Sequence, residues 1–229
     1  MRTNEQIAQI KTRITDPYTI DNILSPGEIS SLVRMFAQAN DKIHKNTGPV
    51  TLDLDLTEPL ISSILERLKK EIGEFEVTAA FFFKTSFPHI IHNDDTFELP
   101  DGVYKAVTLP LLLEHSLGEE LPKLCFFNQF YFHGPAKFFN GSQDIPTFYN
   151  QQVYEYTNVD GLTTEEFYDD NKLFTHIKPE WLRGLSLHSS IEWKPTTAIV
   201  FDSVRLHCAS DFRRLNITSK LGISIFTKL

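Results

Sequence analysis

The spacing of apolar residues changes near residue 74, from the period of helices to the period of strands, and this change limits the folds open to the chain. Before it, Ser25, Pro26 and Glu28 are typical of a helix start, with a capping side chain, a proline in the first turn and an acid at the third position. A second predicted helix begins near Thr57 and ends at Gly73. Residues 1–73 are therefore predicted to be mainly helical.

After residue 74 the apolar residues alternate with polar ones, as they do in strands. One predicted strand places five of them on a single face: Phe75, Val77, Ala79, Phe81 and Phe83. Further strand-like runs cover residues 104–113, 123–132, 198–206 and 220–228. Because the strands follow the helices instead of alternating with them, we expect an α+β, β-rich chain with helices on one face of its sheets.

The length of 229 residues and the lack of a linker-like stretch predict a single domain, with a helical part over residues 1–73 and a barrel over residues 74–229. Residues 138–171 contain no Lys or Arg, carry many acids and show weak periodicity. Such a stretch is typical of either an active-site lid or a surface insertion, which we expect to extend to about residue 180. A short helix is predicted to begin at Pro179.

Composition disfavours several classes of protein. The 22 Lys and Arg against 30 Asp and Glu give a net charge of −8, which argues against nucleic acid as a partner. Two cysteines provide no disulfide framework, so we expect a reducing compartment. No apolar run is long enough to cross a membrane, and the N-terminal residues lack the pattern of a signal peptide. We therefore expect a cytoplasmic protein without membrane association, whose oligomeric state the sequence does not indicate.

Two histidines are distinguished by their neighbours. In His92-x-Asp94 an imidazole and a carboxylate lie two residues apart, which puts both on one side of an extended segment. His207 follows an apolar strand that begins at Ala198. Two histidines and one carboxylate are the facial triad of non-heme Fe(II) oxygenases, which leaves positions on the metal for a co-substrate and O2. His89 is a rival ligand, although the proline before it disfavours the helix that a His89-x-x-His92 site needs.

A cation opens the strand that follows His207. In an extended strand Lys220, Gly222 and Ser224 share one face. A cation and a hydroxyl, with a gap between them, would form a seat for a carboxylate beside a metal ion.

With the triad and Lys220 in this order, the sequence resembles the Fe(II)- and 2-oxoglutarate-dependent dioxygenases over roughly residues 83–226. The resemblance implies a double-stranded β-helix, or jelly roll, with N-terminal helices packed on one face. It implies that Lys220 binds the distal carboxylate of 2-oxoglutarate, with Arg213 and Arg214 as second choices. The family's ligands for Fe(II) map onto His92, Asp94 and His207.

The same resemblance implies a reaction. O2 is consumed, 2-oxoglutarate is converted to succinate and CO2, and a small molecule or a protein side chain is hydroxylated. Halogenases of the family lack the carboxylate ligand, so Asp94 favours hydroxylation or a related oxidation.

Four further residues are candidates for binding roles. Ser224 is predicted to contact 2-oxoglutarate, and so is Asn128, or Tyr131 in its place if the other face of their strand points inward. Arg205 and Tyr131 are the candidates for contact with the substrate. Two other functions remain open at this point: a cupin-type metal enzyme that uses the triad without 2-oxoglutarate, and a non-catalytic β-sandwich binding module.

Overall fold

A computed structural model of the protein describes residues 2–39, 44–45, 49–96, 99, 103–114, 118, 120–136, 159–163 and 165–229. In chain order the helices and strands are α1 Asn4–Lys11, β1 Tyr18–Ile20, α2 Pro26–Gln38, β2 His44–Lys45, β3 Val50–Asp53, α3 Pro59–Ile72, β4 Glu76–Thr85, β5 Ala106–Glu114, β6 Lys123–Phe130, α4 Pro179–Leu182, β7 Leu187–Glu192, β8 Ala198–Phe201, β9 Arg205–Ala209 and β10 Ser219–Lys228. A 3-10 helix, Phe212–Leu215, lies between β9 and β10. None of the described helices is both long and apolar enough to pass through a membrane.

The described strands pair antiparallel in two sheets. The larger sheet has the order β1-β8-β5-β10-β4-β3-β2 and the smaller has the order β7-β6-β9. A bridge between His92 and His207 adds one more pairing at the edge of β9 that does not pair with β6. The two sheets pack face to face through Phe126 of β6 and Phe201 of β8. From β5 the chain passes to the smaller sheet for β6 and β7 and then alternates, with β8 in the larger sheet, β9 in the smaller and β10 in the larger. Two facing antiparallel sheets connected in this way form a double-stranded β-helix, so the predicted fold is confirmed.

Helices α2 and α3 cover the outer face of the larger sheet. At the start of α2 the Ser25 hydroxyl accepts from the Glu28 N–H, and the Glu28 carboxylate accepts from the Ser25 N–H. Arg67 of α3 then donates to Glu28 at 2.6 Å and joins the two helices. Both helices lie where their sequence signals predict them, and α3 ends before Gly73.

The packing of the helices orients β10. Leu221, Ile223 and Ile225 of this strand lie in the core that the larger sheet shares with α2 and α3. Because side chains alternate along a strand, Lys220, Gly222 and Ser224 face the other way, toward the smaller sheet. The predicted common face of these three residues is confirmed.

The single face predicted for the first strand is wrong. Phe226 of β10 pairs with Ala79, but Thr227 pairs with Val77, so Thr78 is an unpaired residue in a β-bulge. Val77 therefore packs with the helices, whereas Phe81 contacts Phe226 at the barrel interior. Alternation within one strand cannot reveal a bulge, because the bulge is defined by the partner strand.

The run predicted as one strand over residues 198–206 forms two. Strand β8 belongs to the larger sheet and β9 to the smaller. Between them the chain turns, and Arg205 N–H donates to the Asp202 carbonyl at 3.0 Å. The turn carries the chain from one sheet to the other and delivers His207 to the barrel interior.

Residues 159–163 and 165–185 form a layer on the outer face of the smaller sheet. Phe174, Ile177 and Leu182 of this layer pack against Phe127 of β6 and Leu206 of β9. The predicted acidic segment falls largely on residues 137–158 and 164, which lie outside the described residues. Its described part packs on the barrel, and the lid role stays a prediction.

Candidate metal centre

His92, Asp94 and His207 meet at one end of the barrel. Each of the three offers a ligand atom, and these atoms all lie within 4.8 Å of one another. His92 Nε2 is 3.6 Å from Asp94 Oδ1, and His207 Nε2 is 3.4 Å from Asp94 Oδ2. Among the described residues, no other group of three His, Cys, Asp or Glu side chains has this spacing.

Backbone pairing holds the three ligands in register. His92 N–H donates to the His207 carbonyl at 3.0 Å, and His207 N–H donates to the His92 carbonyl at 2.8 Å. Asp94 N–H donates to the Ser203 carbonyl at 2.8 Å, in the turn between β8 and β9. The two parts of the site, separated by more than a hundred residues in the sequence, are therefore joined by main-chain hydrogen bonds.

The hydrogen bonds of the two imidazoles determine which nitrogen is free to bind a metal. His92 Nδ1 lies 2.7 Å from the Ile90 carbonyl, and His207 Nδ1 lies 3.0 Å from the Arg205 carbonyl. A carbonyl only accepts, so both Nδ1 atoms carry the proton, and a neutral ring then has its lone pair on Nε2. Both lone pairs point at the Asp94 carboxylate, an arrangement that a metal cation between them would stabilise. The donor set therefore fits a divalent transition metal.

Burial and neighbouring groups favour the metal-binding forms of His92 and Asp94. Burial, with the neighbouring His89 and His207, lowers the pKa of His92 well below its usual value. Burial alone would raise the pKa of Asp94, but its interactions with His207 and then with His92 lower it. A neutral imidazole and an ionised carboxylate are the forms that coordinate a metal.

Aromatic rings surround the two imidazoles. The His207 ring is 4.6 Å from the Phe201 ring and 5.9 Å from the Phe126 ring, centroid to centroid. The His92 ring packs between His207 at 4.2 Å and His89 at 4.1 Å. His89 thus contacts a ligand ring without belonging to the group that could hold the metal.

The residues on either side of Asp94 fix its loop. Asn93 donates to the carbonyls of Tyr131 and Gly134 at 3.1 and 3.0 Å, and it accepts from the Ala136 N–H at 2.6 Å. These three bonds tie the ligand loop to the segment after β6.

Asp95 is held by Arg2, a residue that no sequence pattern connects with the site. The buried guanidinium pairs with both oxygens of the Asp95 carboxylate, one of them at 2.8 Å, and also donates to the Phe132 carbonyl at 2.9 Å. Nothing in the sequence relates two residues that are 93 positions apart. The segment before α1 therefore contacts the loop that carries a metal ligand.

Lys220 is a buried cation that has no counter-charge among the described residues. Its side chain is 3% exposed, and its Nζ lies 4.0 Å from the Trp193 ring and 5.4 Å from the Phe212 ring. No carboxylate among the described residues pairs with it, whereas Lys105, equally buried, lies 2.7 Å from Asp202. Burial lowers the pKa of Lys220 to about 8. An anion entering the barrel would therefore find an unpaired ammonium.

The second-choice cations have partners at the surface. Arg213 lies 3.3 Å from Asp211, and the Arg214 guanidinium donates to the Lys172 carbonyl. Both belong to the 3-10 helix before β10. Their contacts favour Lys220 as the residue that would bind a carboxylate.

The two other predicted 2-oxoglutarate contacts differ in position. Ser224 is half-buried on the inward face of β10, paired with Phe81 of β4 and Thr108 of β5. Asn128 is exposed, and its amide donates to the Ser186 hydroxyl at 2.9 Å. The position of Ser224 is compatible with its predicted role, whereas Asn128 contacts Ser186, the residue before β7. Both roles stay predictions.

The predicted substrate residues are both buried. Arg205 donates to the Phe127 carbonyl at 3.0 Å, lies 3.7 Å from Asp16 and stacks 4.4 Å from the Phe130 ring. Tyr131 is 1% exposed in the outer layer, and its hydroxyl has no hydrogen-bond partner among the described residues. The contacts of Arg205 account for its charge within the fold, and the substrate roles of both residues stay predictions.

The double-stranded β-helix of this chain is the fold of structurally characterised 2-oxoglutarate oxygenases. The chain is similar to HygX from Streptomyces hygroscopicus with nickel and 2-oxoglutarate bound, with a TM-score of 0.51 and 12% identity over 99% of this chain and 86% of that chain. A Pseudomonas putida prolyl-4-hydroxylase is similar with a TM-score of 0.53 and 9% identity, over 98% of this chain and 97% of that chain.

A third similar structure is SnoN, a non-heme α-ketoglutarate-dependent epimerase from nogalamycin biosynthesis. Its TM-score is 0.51 at 14% identity, over 97% of this chain and 79% of that chain. No protein-family model and no curated protein sequence matches the chain. At these low identities the likeness establishes the fold and leaves the reaction to be argued from the site.

Proposed function

We propose that this chain is a single-domain, non-heme Fe(II)- and 2-oxoglutarate-dependent dioxygenase that hydroxylates a small molecule or a protein side chain. The observation that carries the proposal is the buried, unpaired ammonium of Lys220 in the same barrel as the His92, Asp94 and His207 group. A metal group alone is compatible with many enzymes, but a metal group together with an unpaired buried cation suits a ligand with an anionic end.

Three side chains would hold the metal. His92 and His207 would each bind through Nε2, because their Nδ1 protons are donated to backbone carbonyls. Asp94 would bind through a carboxylate oxygen and balance part of the metal charge. When bound, Fe(II) and 2-oxoglutarate supply the oxidising chemistry, in which O2 is consumed and 2-oxoglutarate becomes succinate and CO2.

Lys220 would orient the co-substrate. Its ammonium lies at the start of β10, on the strand face that looks into the barrel. A dicarboxylate with one end on Lys220 and the other near the triad would neutralise the buried cation and remove the free-energy cost of burying it alone. Ser224 on the same face offers a hydroxyl to the same ligand.

The substrate class is proposed from the fold neighbours and from Asp94. Those neighbours include a prolyl-4-hydroxylase and an α-ketoglutarate-dependent epimerase from nogalamycin biosynthesis. Asp94 would occupy one metal position, which favours hydroxylation over halogenation in a fold of this kind.

An anaerobic spectroscopic titration tests the proposal. Purified protein receives Fe(II) and then 2-oxoglutarate, and we expect a weak visible charge-transfer band that forms only when both are present. Asp94→Ala should abolish the band, and Lys220→Ala should require a much higher 2-oxoglutarate concentration. Lys84→Ala is the matched control, because Lys84 lies on the adjacent strand β4 but pairs with Glu114 at 2.7 Å.

Each alternative function gives a different result. If Fe(II) binds and no band forms with 2-oxoglutarate, the cupin-type metal enzyme replaces the proposal. If Fe(II) does not bind at micromolar concentrations, the histidines have no metal role and the binding module becomes the better hypothesis.

A further inference from the structure

Trp193 lies in the barrel interior next to Lys220, and no described residue accepts from its indole N–H. The side chain is 1% exposed, and Nε1 is buried with no hydrogen-bond partner within the described part of the chain. The ring centroid is 4.0 Å from Lys220 Nζ, and the ring packs edge-on against Phe83 of β4 at 5.7 Å. Two buried donors, one cationic and one neutral, therefore lie side by side.

Gly222 determines where the indole sits. A Cβ at this position would be 2.7 Å from Trp193 Cζ2 and 3.0 Å from the Leu109 carbonyl oxygen, so a larger residue would displace the ring. On its other side the Trp193 main-chain N–H donates to the Pro122 carbonyl at 2.7 Å. The indole is thus held against the inward face of β10, two residues from Lys220.

We propose that Trp193 is a second binding residue for the distal carboxylate of 2-oxoglutarate, to which its indole N–H donates a hydrogen bond. This inference rests on the proposed function. A carboxylate has two oxygens, so one can accept from the Lys220 ammonium while the other accepts from the indole. Within the described residues the indole N–H has no acceptor and the Lys220 ammonium has no carboxylate partner, so one ligand carboxylate would satisfy both.

The energetic reason is the cost of an unpaired buried donor. A buried N–H without an acceptor destabilises the free protein, and a carboxylate that accepts from it removes this cost on binding. Because the ligand is charged, the hydrogen bond is stronger than one between neutral groups. A 2-oxo acid without a distal carboxylate would satisfy neither donor, so the pair also selects for dicarboxylates.

Nuclear magnetic resonance tests the hydrogen bond directly. The chain has 2 tryptophans, so protein labelled with 15N at the indole shows one cross-peak for Trp193 and one for Trp181. Zn(II) replaces Fe(II) to keep the sample diamagnetic, and 2-oxoglutarate is then titrated. We expect the Trp193 indole proton to move downfield on binding, while the Trp181 proton, from helix α4, stays in place. The peaks are assigned with Trp181→Phe.

An affinity measurement provides a second readout. In the Trp181→Phe background, replacing Trp193 by its isostere β-(3-benzothienyl)alanine removes the N–H and keeps the ring shape. We expect 2-oxoglutarate binding at least about tenfold weaker, as for the loss of a hydrogen bond to a charged group. Gly222→Ala, which displaces the indole without removing it, should also weaken binding.

The outcomes separate this inference from the function on which it rests. Suppose that 2-oxoglutarate binds, that the Trp193 peak does not move, and that the variant with the isostere binds equally well. Trp193 then contacts the ligand only by packing, and the inference is wrong. In that case the proposed function stands. If 2-oxoglutarate at millimolar concentration changes neither peak and binds neither protein, the inference and the proposed function both fail.

Discussion

Replacing Lys220 by methionine is expected to stabilise the free protein while it destroys 2-oxoglutarate binding. Burial lowers the Lys220 pKa from 10.5 to about 8, which corresponds to a cost of about 3 kcal/mol for the charged form at neutral pH. Methionine fills a similar volume without a charge, so Lys220→Met should recover most of this cost. The lost contact with the Trp193 ring reduces the gain, and we expect an increase of about 1–3 kcal/mol in the free energy of unfolding.

The pH dependence of the free energy of unfolding tests independently whether the charge of Lys220 destabilises the folded protein. The folded protein releases the Lys220 proton near pH 8 and the unfolded chain releases it near 10.5, so the unfolded chain binds more protons between these values. The stability of the wild type should therefore rise with pH across this window relative to Lys220→Met. The advantage of the variant should be largest below pH 8 and small above pH 10.5.

Denaturant unfolding at pH 7 and pH 10 measures both effects. Lys105→Met is the matched control, because it also removes a buried lysine but leaves Asp202 unpaired, and it should destabilise the protein by about 3–5 kcal/mol. A Lys220→Met variant that is less stable than the wild type at pH 7 would refute the reasoning. So would a difference between the two that does not change with pH.

Three further predictions concern the binding of 2-oxoglutarate and the framework of the site. The affinity for 2-oxoglutarate should fall as pH rises above about 8, by up to about tenfold per pH unit, because Lys220 loses its proton in the free protein. In a binding titration a Lys220→Arg variant should lose this pH dependence, and a wild-type affinity that does not change with pH would show that the Lys220 proton is not needed for binding. Arg2→Ala leaves the buried Asp95 carboxylate unpaired next to the candidate ligand Asp94, so it should lower the free energy of unfolding by about 3–5 kcal/mol. It should also weaken Fe(II) binding, measured by competition with a chelator, and unchanged metal affinity would limit Arg2 to a role in stability. The Arg67 hydrogen bond lowers the pKa of Glu28 to about 2, so Glu28→Gln should lower the free energy of unfolding by about 1 kcal/mol at pH 7. This difference in stability between variant and wild type should disappear as pH falls from 4.5 through 2, and a difference that persists at pH 2 would assign the effect to packing.

The contrast between Lys220 and Lys105 suggests how the barrel separates stability from function. Both ammonium groups are buried, but Lys105 is paired with Asp202 at 2.7 Å and so contributes to the fold. Lys220 has no such partner among the described residues and lowers the stability of the free protein. Binding sites commonly retain such unfavourable groups, because the ligand satisfies them.

Local patterns determined much of the architecture in advance. The cap at Ser25 marks the start of α2 and the glycine at residue 73 marks the end of α3, because helix ends depend on nearby hydrogen bonds and backbone conformations. The alternation along β10 correctly placed Lys220, Gly222 and Ser224 on one face, since successive side chains of a strand without a bulge point to opposite faces. That His92 and Asp94 lie on one side of an extended segment could be predicted for the same reason.

The tertiary structure alone decided the features that depend on distant partners. The bulge at Thr78 is defined by β10, and the turn between β8 and β9 by the sheet to which each strand pairs. Arg2 meets Asp95, and Trp193 meets Lys220, only because the closed barrel brings separate segments together. Whether a buried group has a partner depends on side chains from several strands, so the unpaired state of Lys220, on which the proposed function rests, could not be predicted from the sequence.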